Sequence, residues 1–84
     1  MPTYQIEWLE EAKADVRALD RPTAMRIFEG VLRLARSGIG DVTTLQGDMA
    51  GSLRLRIGDY RVLFSFESNT MRIFGVRHRS GAYR

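Results

Sequence analysis

Ser52-Leu53-Arg54-Leu55-Arg56-Ile57-Gly58-Asp59-Tyr60-Arg61-Val62-Leu63-Phe64-Ser65-Phe66-Glu67 reads as two strands joined by a turn. Leu53, Leu55 and Ile57 alternate with Arg54 and Arg56, the period of two that marks a half-buried strand. Gly58-Asp59 supplies the turn. Tyr60–Glu67 is apolar at Val62, Leu63, Phe64 and Phe66, which suits a central strand buried on both faces. Because Leu53, Leu55 and Ile57 must point into a core, Arg54 and Arg56 must point away from it. The pleat puts both guanidinium groups on one face, about 7 Å apart at Cα. Arg61, just past the turn, lies beside them.

Downstream, Ser68-Asn69 makes another turn and Met71–Arg77 forms a further strand through Ile73, Phe74 and Val76. Paired with Tyr60–Glu67, that strand returns its C-terminal end toward Arg61. Arg77, His78, Arg79 and Tyr83 then join the uncovered face. Upstream, Tyr4-Gln5-Ile6-Glu7-Trp8 alternates as a strand with Tyr4, Ile6 and Trp8 on one side. Leu9, Ala12, Val16 and Leu19 recur at helical spacing. Asp20 can cap a second helix that Pro22 opens and Ser37 closes, with Gly38 or Gly40 behind it. Met25, Phe28, Leu32 and Ala35 form one apolar stripe of that helix, with Ile27, Val31 and Leu34 beside it. Residues 41–51 read as a loop that Leu45 pins to the core. The order β-α-α-β-β-β predicts one α+β domain over residues 1–84, a helical hairpin packed on one face of a mainly antiparallel four-stranded sheet.

Charge is divided unevenly along the chain. Residues 1–50 hold 6 basic and 8 acidic side chains, whereas residues 51–84 hold 7 arginines and 2 acids, so +5 faces −2. Lys13 is the one lysine among 13 basic residues, and arginine suits planar, bidentate phosphate contacts. A concentrated basic end points to an anionic partner. The chain holds no cysteine, which excludes disulfides and thiolate metal sites. With a single histidine and no acidic cluster, no metal or cofactor is expected. No apolar run approaches the roughly 18 residues that span a membrane, and the acidic opening does not read as an export signal. A cytoplasmic domain without membrane contact is expected.

Cleavage of RNA without a metal needs a group to take the 2′-OH proton, cations to hold the charge gathering on phosphorus, and an acid for the leaving 5′-oxygen. Arginines serve the second need. Tyr83 can stack a splayed base or donate a proton, and His78 is the one side chain here that titrates near neutrality. Tyr60 and Phe64 read as packing residues, and Arg72 as facing solvent. Composition and spacing alone support a basic, nucleic-acid-binding α+β domain.

Leu45-Gln46-Gly47, the stretch Ser52 to Val62, Val76-Arg77-His78-Arg79 and Tyr83-Arg84 together resemble the RelE/ParE superfamily of type II toxin–antitoxin toxins. The resemblance spans roughly residues 4–84. It rests on a leucine-glycine loop, a basic hairpin closing on Gly-Asp-Tyr-Arg, and a terminal Arg…Tyr-Arg. By matching position, Arg54 and Arg56 take the basic hairpin places and Arg61 the arginine after the turn. Arg77 or Arg79 takes the C-terminal active-site arginine, and Tyr83 the terminal tyrosine. The resemblance implies a metal-independent endonuclease that cuts mRNA in the ribosomal A site. The 2′-OH attacks the scissile phosphate and leaves a 2′,3′-cyclic phosphate. Some RelE proteins carry lysines in the hairpin; Arg54 and Arg56 cannot give up a proton as lysine can, so the base role falls to His78. A cognate antitoxin is implied as partner. A peptide that folds as a helix on the apolar rim of the helical hairpin fits the need to silence a basic groove. The alternatives are a ParE-like inhibitor of DNA gyrase and a catalytically degenerate RNA-binding homologue; the C-terminal Arg, His and Tyr favour the RelE-like reading.

Overall fold

Residues 3–47 and 51–80 are described by the computed structural model. They form β1 (Gln5–Trp8), α1 (Glu10–Arg17), α2 (Arg21–Ser37), β2 (Asp41–Thr44), β3 (Leu53–Ile57), β4 (Tyr60–Glu67) and β5 (Thr70–His78). The sheet runs β1-β5-β4-β3-β2. β1 lies parallel to β5, and the other neighbours are antiparallel. Ala12 and Val16 of α1, with Ile27, Val31, Leu34 and Ala35 of α2, pack on Leu55, Val62, Phe64, Met71, Ile73 and Val76. Both helices therefore cover one face of the sheet, and the expected α+β architecture is the one observed.

Local chemistry explains where α2 starts and stops. Asp20 sits in extended conformation and accepts from the backbone N–H of Thr23 and from its hydroxyl at 2.7 Å, so one of the orphan donors of the first turn is satisfied. At the other end Gly38 takes a left-handed conformation with φ 76°, and its N–H reaches Leu34 O, which a side chain at that position would oppose.

One expectation changes, and the inward face of α2 is decided. The described residues form five strands, because Asp41–Thr44, expected within a loop, pairs with β3 from Asp41↔Arg56 to Thr44↔Leu53. All four residues of β2 are exposed. An edge strand wet on both sides carries no apolar alternation, and only the β-branched run Val42-Thr43-Thr44 marks it. Leu45 is buried just after it. Of the two adjacent apolar stripes of α2, the structure turns the side of Ile27, Val31 and Leu34 inward, together with Ala35, while Met25 (49%), Phe28 (38%) and Leu32 (40%) remain exposed. Two apolar stripes compete on α2, and the one that meets the sheet goes inside. Phe28 still packs edge-on against Trp8, ring centroids 5.3 Å apart.

β5 carries an irregularity that decides the site. Phe64 pairs with Ile73, but Leu63 pairs with Gly75, so Phe74 is an extra residue in β5. A bulge of this kind reverses the alternation beyond it. Ile73 and Val76 both reach the core, although three positions apart.

Candidate nucleic-acid interface

The pairing registers place the site residues. Arg56 stands directly opposite Arg61, and Arg61 directly opposite Arg77. Directly paired residues share a face, and that face alternates with the one holding Leu55, Val62 and Val76. Asp41, Arg56, Arg61 and Arg77 thus form one row across β2, β3, β4 and β5 on the side the helices leave open. Successive Cα atoms in such a row are about 4.5–5.5 Å apart. One step along, Thr43, Arg54, Leu63 and Gly75 form the next row of this face. Arg79 follows β5 at the hairpin turn. Its N–H donates to Asp59 O at 2.7 Å, and its Nε lies 3.9 Å from Asp59 Oδ1.

Each arginine is held differently. Arg54 donates to the Thr43 hydroxyl at 3.2 Å. Arg61 folds toward the turn and donates to the carbonyls of Gly58 and Tyr60. Its guanidinium is held below the ordinary arginine range, first by desolvation and then by the charges of Arg56, Arg54 and Arg79, with Asp59 acting in the opposite sense. It stays protonated nonetheless, as arginine does in proteins. Among the described residues no carboxylate lies within ion-pair distance of Arg56 or Arg61. Arg77 pairs with Asp15 of α1. Arg72, on the same face toward the other end, contrasts with all of them. It is clasped by Glu7 at 3.0 Å and Glu67 at 2.8 Å, and those partners, Glu67 foremost, raise its pKa further.

The structure brings Arg54, Arg56, Arg61 and Arg77 together on one face, with Arg79 at its rim. His78 does not join them. It pairs with Tyr60, whose ring lies 5.2 Å away edge-on, and so belongs to the row of Ile57 and Tyr60 on the helix side. The bulge is the reason. Simple alternation from Met71 and Ile73 would have turned Arg77 inward and His78 outward; the extra Phe74 exchanges them. The Nδ1 atom of His78 also accepts from the Ser80 N–H at 3.3 Å and lies 2.9 Å from the Ser80 hydroxyl. Tyr83 lies outside the described residues. Among those described, no three His, Cys, Asp or Glu side chains are placed to hold a metal, and no helix is long and apolar enough to cross a membrane.

Sequence reasoning missed Asp15 and Gly75. Asp15 Oδ2 accepts from the Val76 N–H at 2.9 Å as well as from Arg77. Gly75 lies beneath the Arg77 guanidinium. A glycine inside a strand pattern is a signal for a bulge or a close approach, and it stood in the sequence. Nothing comparable marked Asp15, one of several acids on α1.

The arrangement is a cation-rich surface that can hold successive phosphates of an extended strand. The chain matches, over residues 6–83, the family described as ParE toxin of type II toxin-antitoxin system, parDE. No curated protein sequence is significantly similar to it. Among solved structures, the RelBE2 toxin–antitoxin complex from Mycobacterium tuberculosis superimposes with TM-score 0.85 at 25% identity, covering 95% of each chain. The archaeal RelE–RelB complex from Pyrococcus horikoshii follows with TM-score 0.76 at 25% identity, covering 95% of this chain and 99% of that one. The YoeB dimer from Staphylococcus aureus shares the fold with TM-score 0.72 at 20% identity, covering 89% of this chain and 95% of that one.

Proposed function

The chain belongs to the ParE toxin family of type II toxin–antitoxin systems, and from that premise we propose that it is an mRNA endonuclease that needs no metal and acts on the ribosome to inhibit translation. The observation that carries this reading is the row Arg56–Arg61–Arg77, three cations set opposite one another on the open face. Like charges in direct cross-strand pairs destabilise a sheet, so the row is built for an anion. RNA laid along it places a scissile phosphate against Arg56, Arg61 and Arg77, with Arg54 and Arg79 on its neighbours. The ribose 2′-oxygen attacks phosphorus, the 5′-oxygen leaves, and a 2′,3′-cyclic phosphate and a 5′-hydroxyl result. Preorganised cations stabilise the charge on the equatorial oxygens and favour ionisation of the 2′-OH, whose proton passes to solvent water. The Tyr83 phenol is assigned the proton for the leaving oxygen. The resemblance to RelE–RelB complexes supports a cognate antitoxin as partner, and the exposed Met25, Phe28 and Leu32 of α2 are the surface assigned to it. Action on mRNA in the ribosomal A site assigns this activity to the cytoplasm.

Inducible expression of the wild type, Arg61→Ala and His78→Ala, followed by growth curves and primer extension on cellular mRNA, tests the proposal. Cuts inside codons are expected from the wild type and from His78→Ala, and a loss of about 10²-fold or more from Arg61→Ala. The family's description as a ParE toxin supports keeping the alternative that the sequence resemblance implies, a ParE-like inhibitor of DNA gyrase. Growth arrest with an SOS response and uncut mRNA would select it. No growth arrest at all would leave a degenerate RNA-binding homologue.

A further inference from the structure

We propose that Asp15 and Gly75 form a seat for the Arg77 guanidinium, with Asp15 as the residue that positions Arg77 against the scissile phosphate; this rests on the ribonuclease reading above. Beyond Trp8↔Ile73 no strand among the described residues lies beside the outer edge of β5, and α1 packs against β5 there, with Asp15 reaching the Val76 N–H. Asp15 Oδ2 takes that N–H at 2.9 Å, a backbone donor three positions beyond the last β1 pair. The same oxygen pairs with Nη1 of Arg77, and Nη1 also reaches Val76 O at 3.3 Å. The guanidinium lies flat over Gly75. A Cβ placed there would meet Nη1 at 3.0 Å, Cζ at 3.3 Å and Nη2 at 3.4 Å. Glycine therefore leaves the room that the plane occupies.

A flexible arginine pays rotamer entropy to meet a phosphate. Here one edge of the fork is anchored by a carboxylate from a different element, and the plane rests on backbone. A group held this way contributes to rate by orientation more than to affinity. Asp15 removes one unit of positive charge from the face, so it weakens ground-state binding while it aligns Arg77. A merely structural Asp15 would cancel the same charge but leave kcat untouched.

The test uses the purified full-length protein with a short mRNA, free and bound in ribosomes, in single-turnover and steady-state cleavage. Asp15→Asn keeps an acceptor for the Val76 N–H and removes the charge that holds Arg77. Its kcat is expected to fall roughly 10- to 100-fold, with KM unchanged or lower and Tm close to wild type. Gly75→Ala moves the guanidinium without touching Asp15 and is expected to lower kcat about fivefold or more. It also keeps the test decisive should Asp15→Asn fail to fold. Arginine side-chain NMR is expected to show faster rotation of the Arg77 guanidinium in both variants. Asp15→Asn and Gly75→Ala cleaving at the wild-type rate while Arg77→Ala is impaired would overturn the seat alone. A raised KM as the main effect of Asp15→Asn, or a large fall in Tm with kcat unchanged in both Asp15→Asn and Gly75→Ala, would overturn it in favour of a structural role. An Arg77→Ala variant as active as wild type would overturn it too. A wild type that cuts neither free nor ribosome-bound mRNA overturns the ribonuclease reading and the seat with it, a result told apart because the loss appears without any substitution.

Discussion

Arg56, Arg61 and Arg77 work against the sheet that carries them. Each directly opposed like-charge pair costs about 0.2–1 kcal/mol, and Asp41, opposite Arg56 on its other side, offsets this only across a distance longer than an ion pair. Threonine fits an exposed strand position well. Arg56→Thr is therefore expected to raise Tm by about 1–4 °C while weakening RNA binding. A thermal melt and an RNA-binding titration check the two signs together. A fall in Tm instead would mean that packing of the arginine's aliphatic stem outweighs repulsion. At this scale the sequence was partly legible. Leu53, Leu55 and Ile57 announce the pleat, and the pleat points Arg54 and Arg56 outward. His78 was misplaced because its face depends on one extra residue in β5. Asp15 was invisible because its partners, Val76 and Arg77, lie 61 and 62 positions away.

Among the elements, α2 is the most self-explanatory and β5 the least. Asp20 accepts two hydrogen bonds from Thr23, from its hydroxyl and its backbone N–H. These, in that order of weight, hold its carboxyl below the usual aspartate value, against slight desolvation. A carboxyl with a folded-state pKa below its unfolded value of ~3.9 adds stability above that pH and loses it as pH falls through the folded value. Asp20→Ala is expected to lower Tm by about 4 °C at pH 7. The gap between wild type and variant should close as the pH drops below about 4. Asp20→Asn keeps an acceptor, so its gap at pH 7 should be smaller, and it too should shrink as Asp20 of the wild type is protonated. Melts across pH 2–7 (roughly the carboxylate range) read both. The cap, the proline and the closing glycine of α2 are local signals, which is why sequence alone placed that helix to within a residue. The bulge in β5 and the edge strand β2 are tertiary facts. Phe74 is extra only by reference to β4, and Asp41–Thr44 is a strand only because β3 offers it a partner.

Over the whole molecule, the open face is divided into two electrostatic halves. Toward one end Arg72 is neutralised by Glu7 and Glu67. Toward the other lie Arg54, Arg56, Arg61, Arg77 and Arg79, with Asp15 and Asp59 as the carboxylates paired among them. Net charge of +3 describes neither half. Counterion release makes the division measurable, since each phosphate neutralised on a single strand steepens the dependence of log K on log salt by about 0.7. For a short RNA without a cleavable 2′-OH, the slope is expected between about −2 and −3.5. The shallower value applies if Arg77 and Arg79 stay on Asp15 and Asp59. Arg61→Ala should make it shallower by about 0.7. Arg72→Ala, which removes the same formal charge from the same face, should leave it unchanged, because Glu7 and Glu67 already occupy that guanidinium. Equal losses for the two variants would mean that RNA responds to total charge and not to the row across β3, β4 and β5. A slope that falls only for Arg61 would locate binding on the half of the face where the bulge delivers Arg77.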